Sequence, residues 1–157
     1  MSGIYIHVPF CASRCLYCDF YSTTFRNKGK QFIAAIEREM IERRHYLSEP
    51  IRTLYLGGGT PSQLGAEGIR QVLAAAARHF DLSQITMEAN PEDFSDLSLW
   101  PIGSLSPDIV GSLMPNRISM GVQSMVDSEL QLLNRRHNAQ RVVEAVNRLR
   151  DEGIRNL

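Results

Sequence analysis

Three thiols stand within eight residues of this chain, at Cys11, Cys15 and Cys18, in the stretch "HVPFCASRCLYCDFYS". They are the only cysteines in 157 residues. An odd count leaves one sulfur over when the others pair, which argues against a structural disulfide. A zinc site wants four protein ligands, usually as paired C-x2-C units. His7 is a candidate fourth ligand, but it precedes Cys11 on the strand side. Three ordinary buried cysteines are the bland reading, and a loop of small and polar residues disfavours it. An iron–sulfur cluster suits the spacing better. Such clusters are bound by thiolates in short loops, and a four-iron cluster normally takes four. Three thiolates leave one iron without a protein ligand, and an open metal position is where chemistry happens. The C-x3-C-x2-C spacing therefore points to a catalytic cluster rather than a plain electron carrier.

A loop of that kind needs a rigid frame. Ile4–Val8 reads as a strand with Ile4, Ile6 and Val8 on one face and Tyr5 and His7 on the other. The cysteine loop follows it. Lys30–Tyr46 reads as a helix through Phe32, Ile33, Ile36 and Met40. Arg52–Leu56 is the second strand, ending in Gly57-Gly58-Gly59, and Gly65–His79 the next helix, with Ile69, Val72, Leu73 and Ala76 inward. Ile85–Ala89 is the third strand, closed by Asn90-Pro91, and Arg117–Val122 the fourth. A short helix near Ser128–Leu133 and a longer one over Ala139–Glu152 come next. The longer one carries a stripe of Val142, Val143, Val146 and Leu149 and is closed by Gly153. Ile154–Leu157 looks like the opening of a fifth strand.

Strand and helix alternate, so the fold class is α/β, with a parallel sheet and helices on its faces. In such folds ligands bind at the carboxyl ends of the strands, whether the sheet is open or barrel-like. The cysteines, the glycines, Glu88 and Gln123 all fall at that end. Residues 94–116 interrupt the rhythm with "LSLWPIGSLSPDIVGSLMPN" and read as an insertion or a functional loop, with a short helix near Pro107–Leu113.

Lys plus Arg equals Asp plus Glu, at 17 each, so a broad nucleic-acid-binding surface is not expected. No run of apolar residues is long enough for a membrane span, and Met1–His7 does not read as a signal peptide. The expected location is the cytoplasm, where thiols stay reduced.

With "YIHVPFC", "CLYCDFYS", "LYLGGGTPS", "MEANP" and "RISMGVQS" followed by "LLNRRH", the chain resembles the radical S-adenosylmethionine (SAM) superfamily. Within it, these blocks resemble the anaerobic coproporphyrinogen III oxidase family and its branch of HemW-type haem chaperones. The resemblance implies a (βα)n barrel related to the TIM barrel, of which residues 1–157 would be the N-terminal part. About four βα units are then present, and the further strands and a C-terminal domain are absent. It also implies a [4Fe–4S] cluster on Cys11, Cys15 and Cys18. SAM would chelate the fourth iron and be split to a 5′-deoxyadenosyl radical. The SAM contacts it implies are Tyr5, Tyr17, Gly58, Gly59, Thr60, Glu88, Gln123 and Arg135.

Each of these positions has a plainer reading. Three glycines after a strand are often a tight turn, although no Lys-Ser/Thr follows, so a phosphate loop fails. Glu88 could be an ordinary salt-bridge residue, Gln123 a strand-end hydrogen-bonder and Arg135 part of a solvated face. His7 could pack under the cluster. His137 is a candidate haem or substrate contact, or equally a surface histidine.

The oxidase branch carries a further cysteine soon after the third, whereas here Cys18 is followed by Asp19-Phe20-Tyr21. The resemblance therefore favours a haem-trafficking protein that binds haem or porphyrin, receives electrons from a reductant protein and hands haem to respiratory proteins. The runner-up is an oxygen-independent coproporphyrinogen III oxidase of porphyrin biosynthesis. A third reading is an inactive metal-binding fragment.

Overall fold

The computed structural model describes residues 2–25, 27–46, 48–95 and 114–157. Four parallel strands, β1 (Ser2–Val8), β2 (Ile51–Gly58), β3 (Gln84–Ala89) and β4 (Arg117–Met120), lie side by side in chain order. Parallel neighbours need a crossover between them. Helix α1 (Gly29–Arg43) joins β1 to β2, and α2 (Gly65–Ala77) joins β2 to β3. Two more helices, α3 (Asp127–Leu132) and α4 (Ala139–Asp151), follow β4. The expected alternation is what the chain forms. The expected fifth strand opens as a single parallel bridge from Arg117 to Asn156, and the Asn156 carbonyl accepts from the Ile118 N–H at 3.0 Å.

Successive strand residues point to opposite faces. One face carries Ile6, Val8, Leu54, Leu56, Ile85, Met87 and Ile118, all buried. These pack in one core with Met40 of α1, with Ile69, Val72, Leu73 and Ala76 of α2, and with Ala145 and Leu149 of α4. Each such aliphatic side chain contributes about 1.5–3 kcal/mol on burial. The other face carries Tyr5, His7, Tyr55 and Glu88, none of them buried. The sheet is therefore apolar toward the helices and polar toward the opposite side.

Several boundaries depart from the sequence reading, each for a local reason. Strand β2 runs two residues further, into the glycines, because His7 pairs with Gly57 and Val8 with Gly58. Strand β4 stops at Met120, where Val122 N–H turns back to the Met120 carbonyl at 3.0 Å. Helix α1 ends at Arg43 rather than Tyr46, in a turn where the Arg43 guanidinium lies 5.7 Å from the Tyr46 ring centroid. In α4 the buried positions are Val142, Ala145 and Leu149, whereas Val143 is 48% exposed. One residue on from Val142 is a 100° turn of the helix, which carries Val143 off the buried face. Gly153 takes a φ of +88°, the left-handed geometry expected just past a helix end.

Two short 3-10 turns, Pro61–Leu64 after β2 and Pro91–Phe94 after β3, were not legible as elements. The second ends at Phe94, the first residue of the stretch read as an insertion or functional loop. Phe94 is fully buried in the main core, and α4 packs against its turn. Arg148 of α4 donates to the carbonyls of Phe94 at 2.9 Å and Ser95 at 2.6 Å. At the far end Asn116 secures β3. Its Oδ1 accepts from Ile85 N–H at 3.0 Å, and its Nδ2 donates to the Ser83 carbonyl at 3.0 Å. The expected helix near Pro107–Leu113 lies outside the described residues. Replacing Phe94 by alanine is expected to cost about 3–5 kcal/mol, as for other buried aromatics. Denaturant unfolding followed by circular dichroism measures this, and a loss below about 1 kcal/mol would return Phe94 to the loop.

Candidate functional site

The cysteine loop leaves β1 at Val8 and is tied back to the sheet at once. Gly59 N–H donates to the Val8 carbonyl at 2.8 Å and Thr60 N–H to the Phe10 carbonyl at 2.7 Å. The β1–β2 ladder is thereby continued beyond the strands. The far limb of the loop returns to the near one, with Cys11 N–H on the Thr23 carbonyl at 2.9 Å and Thr23 N–H on that of Pro9 at 2.7 Å. The middle is held by the segment after α3, where Asn134 Nδ2 donates to the Arg14 carbonyl at 2.9 Å. Asn134 takes a φ of +57° to do so.

Two glycines are dictated by this packing. A Cβ on Gly59 would stand 2.8 Å from the Phe10 carbonyl oxygen and 3.0 Å from the Cys11 sulfur. Gly58 has a φ of +110°, and a Cβ there would stand 2.8 Å from the His7 ring. The triple glycine is therefore where the cysteine loop and β1 lie against β2, a use that only a residue without a side chain permits.

A cavity of about 340 Å³ opens at this end of the sheet. That volume falls in the range of small-molecule sites. Cys11, Cys15, Cys18, Tyr17, Gly58, Gly59, Thr60, Glu88, Gln123 and Arg135 all line it. Tyr5 does not. It lies lower on the polar face, 57% exposed, with its hydroxyl 3.1 Å from His7 Nδ1 and its ring tilted against Tyr55. Burial, and then the Glu88 carboxylate, push the Tyr5 phenol above its ordinary range.

All three cysteines are free thiols, with Cys11 buried and the other two half-buried. Among the described residues, no three His, Cys, Asp or Glu side chains converge as they would round a single metal ion. A hydrogen-bonded chain joins two of the sulfurs. Thr60 Oγ1 donates to Cys11 Sγ at 3.7 Å and accepts from Asn90 Nδ2 at 3.4 Å. Asn90 Oδ1 accepts from Arg135 Nη2 at 2.6 Å, and Arg135 Nη1 lies 3.2 Å from Cys15 Sγ. Burial raises the neighbouring Tyr17 phenol, with Cys15 adding to the effect and the Arg135 charge opposing it.

Glu88 already has protein partners. Tyr55 OH donates to its Oε1 at 2.8 Å and Gly58 N–H to its Oε2 at 3.1 Å. Burial first, and then Glu88, raise the Tyr55 phenol. Gln123 takes a φ of +67° in the turn after β4, a strained position for a residue with a side chain. That turn is anchored by His137. Its side chain is fully buried, with Nε2 3.1 Å from the Val122 carbonyl and Nδ1 3.1 Å from Glu92 Oε2. The surface reading of His137 is thereby overturned, and its ring nitrogens are both engaged within the fold. His7 is likewise committed, with Nε2 2.8 Å from the Tyr21 carbonyl and Nδ1 on Tyr5.

Sequence reasoning did not single out Tyr55, Asn90 or Glu92. Strand alternation could have found Tyr55, which shares the polar face with Tyr5 and Glu88. Asn90 stands inside "MEANP" and was read only as a strand stop. Glu92 binds both His137 and Arg136, the latter at 3.0 Å, and nothing in its local pattern announces that. Next to it, burial pushes the Asp93 carboxyl above its ordinary range despite the Asn90 N–H it accepts at 2.8 Å.

A family model described as the radical SAM superfamily matches residues 5–157. The chain is 36% identical over 159 residues to a protein of Lactococcus lactis named heme chaperone HemW, covering 99% of this chain and 39% of the relative. A protein of the same name from Bacillus subtilis is 32% identical over 163 residues, covering 100% of this chain and 41% of the relative. A bovine relative, named radical S-adenosyl methionine domain-containing protein 1, mitochondrial, is 32% identical, covering 92% of this chain and 32% of the relative. Among solved structures, coproporphyrinogen III oxidase (HemN) from Escherichia coli, described as a radical SAM enzyme, matches with a TM-score of 0.75 and 25% identity. That match covers 96% of this chain and 34% of the other. This chain therefore spans about two fifths of the length of its chaperone relatives.

Replacing Gly59 by alanine is expected to force apart the loop and β2, at a cost of about 1–3 kcal/mol. Unfolding of the metal-free variant measures this. Unchanged stability would mean that the Gly59–Cys11 contact does not hold the loop.

Proposed function

The chain belongs to the radical SAM superfamily, and from that premise we propose that Cys11, Cys15 and Cys18 bind a [4Fe–4S] cluster beside a SAM pocket. The observation that carries the reading is three free thiols and the Gly58-Gly59-Thr60 cradle lining one cavity. A four-iron cluster takes thiolate ligands on separate irons, so its three cysteines need not converge on one point as round a single ion. The donor set fits, and so does the buried Arg135 Nε, which has no partner among the described residues.

When bound, such a cluster supplies the single electron that splits SAM. This chain's own residues would do the holding. Gly58 and Gly59 give their missing side chains' room to His7 and the Cys11 end of the loop and present backbone to the cavity. Tyr17, Thr60, Glu88, Gln123 and Arg135 offer hydroxyl, carboxylate, amide and guanidinium groups along the same wall. Tyr5 supports that wall through His7 rather than from the lining. The Glu88 carboxylate can accept from an ammonium or a hydroxyl beyond the two donors it already has.

For the whole protein we favour haem trafficking, on the strength of the relatives named heme chaperone. The ligands would be SAM and haem or porphyrin, the partners a reductant protein and haem-accepting respiratory proteins. The location would be the cytoplasm, where thiols stay reduced. No helix among the described residues is long and apolar enough to cross a membrane. We read residues 1–157 as the N-terminal part of the radical SAM core. The likeness to the Escherichia coli oxidase supports a second reading, oxidative decarboxylation of coproporphyrinogen III. Asp19 and Phe20, standing where that branch carries its further cysteine, favour the first.

Anaerobic reconstitution with iron and sulfide is expected to load about four irons per chain. Cys11→Ala, Cys15→Ala and Cys18→Ala should each lose most of them while keeping their circular dichroism. Retention of the full load by any one of these variants would remove that cysteine from the ligand set. Haem titration of the loaded protein, with coproporphyrinogen consumption followed in parallel, separates the two readings. Haem binding without consumption supports trafficking, and consumption overturns it.

A further inference from the structure

We propose that Tyr55 is a positioning residue for the cavity: its hydroxyl sets the Glu88 carboxylate, and Gly57 is bare so that the ring can reach. This inference rests on the reading of the cavity as a SAM pocket. Tyr55 belongs to β2 and Glu88 to β3. Thr86 is the register partner of Tyr55, so Glu88 stands on the same face, two residues nearer the carboxyl end of the sheet. A strand side chain stands roughly perpendicular to the sheet and can lean along its strand. Tyr55 leans over Gly57, and its hydroxyl donates to Glu88 Oε1 at 2.8 Å.

Gly57 is what that lean requires. A Cβ there would stand 2.9 Å from Tyr55 Cε1, 2.9 Å from Tyr5 Cε2 and 3.1 Å from the Glu88 carboxyl carbon. The contacts of His7 and of the cysteine loop account for Gly58 and Gly59 but not for Gly57. Gly57 lies within β2, paired with His7, so its backbone does not demand a glycine. The two tyrosine rings do.

Glu88 then has a fixed donor on each oxygen, Tyr55 on Oε1 and the Gly58 N–H on Oε2 at 3.1 Å. Donors on both oxygens hold the plane of the carboxylate. An ionised carboxylate offers about four lone-pair sites, so each oxygen keeps one for a donor in the cavity. Glu88 lines the cavity and Tyr55 does not, so Tyr55 acts on a ligand through Glu88. An acceptor pair set in advance spares a ligand the cost of ordering that side chain. The Tyr55 phenol itself reports the contact. Burial, and then Glu88, raise it, with Ser119 and the Arg117 charge opposing.

The test measures SAM affinity and iron content of the reconstituted chain with Tyr55→Phe, with Gly57→Ala and with both. Tyr55→Phe keeps the ring and removes only the hydroxyl. It is expected to weaken SAM binding about tenfold, the loss of one hydrogen bond to a charged group, with the iron load unaltered. Gly57→Ala should weaken binding as well. In that background Tyr55→Phe should add less than about threefold, because the reach is already lost. Tyrosine-labelled NMR of the oxidised chain gives a second measure. The Tyr55 resonance, the one missing from Tyr55→Phe, should titrate at lower pH in Glu88→Gln than in the wild type. Unaltered SAM affinity in Tyr55→Phe, or an unmoved Tyr55 titration, would overturn the proposal. So would loss of iron in Tyr55→Phe, which would make the hydroxyl a general support of the fold. A further tenfold loss in the Gly57→Ala background would overturn the role of Gly57. A wild-type chain that loads iron without binding SAM is a separate failure, which overturns the proposed function and this inference with it.

Discussion

The site depends on one constraint: the β1–β2 ladder does not end where the strands do. Two further backbone bonds, Gly59 to Val8 and Thr60 to Phe10, carry the pairing into the loop. Each backbone group so paired avoids the cost of an unmet buried donor or acceptor. The pairing places Cys11 against Gly59 and brings Thr60 Oγ1 to its sulfur. A side chain at residue 59 would drive the two apart. From that fixed start, eight residues of loop carry all three thiols across the strand ends.

The two faces of the sheet do different work. The apolar face, with Phe94 and Leu149 in its core, provides the rigidity that a loop alone lacks. The polar face provides groups that hold one another. Tyr5 meets His7, Tyr55 meets Glu88, and Glu88 meets the Gly58 N–H. At the β4 side, the buried His137 holds the turn that contains Gln123. Rigid supports behind exposed donors are what a preorganised ligand site requires.

The strands, helices and end of the sheet that bears chemistry were legible because periodicity and composition are local signals. Ile6, Val8, Leu54 and Leu56 alternate with polar residues, and every such position lies on the expected face. The cysteines announce themselves as residue types that packing alone seldom demands, whereas Gly58 and Gly59 stood out in the sequence and are demanded by the packing of His7 and the loop. Less legible was whatever depends on distant partners. Val143 looked like part of the α4 stripe, but its neighbours leave it exposed. His137 looked like a surface residue, yet Glu92 and the Val122 carbonyl enclose it. Arg135 read as a SAM contact or as part of a solvated face, and only the fold reveals that it meets Cys15, Tyr17, Asn90 and Gly121. Phe94 sits at the edge of a stretch without periodicity, so its place in the core had no local signal.

The most direct test of the account is low-temperature EPR of the reduced, iron-loaded chain with and without SAM. With Cys11, Cys15 and Cys18 as the proposed ligands, one of four irons would be left for an outside molecule, and the cavity beside them has the volume for one. The account predicts a four-iron spectrum whose g values shift when SAM is added. A four-iron spectrum that SAM leaves unchanged would contradict it, since the cluster would then be closed or the cavity built for something else.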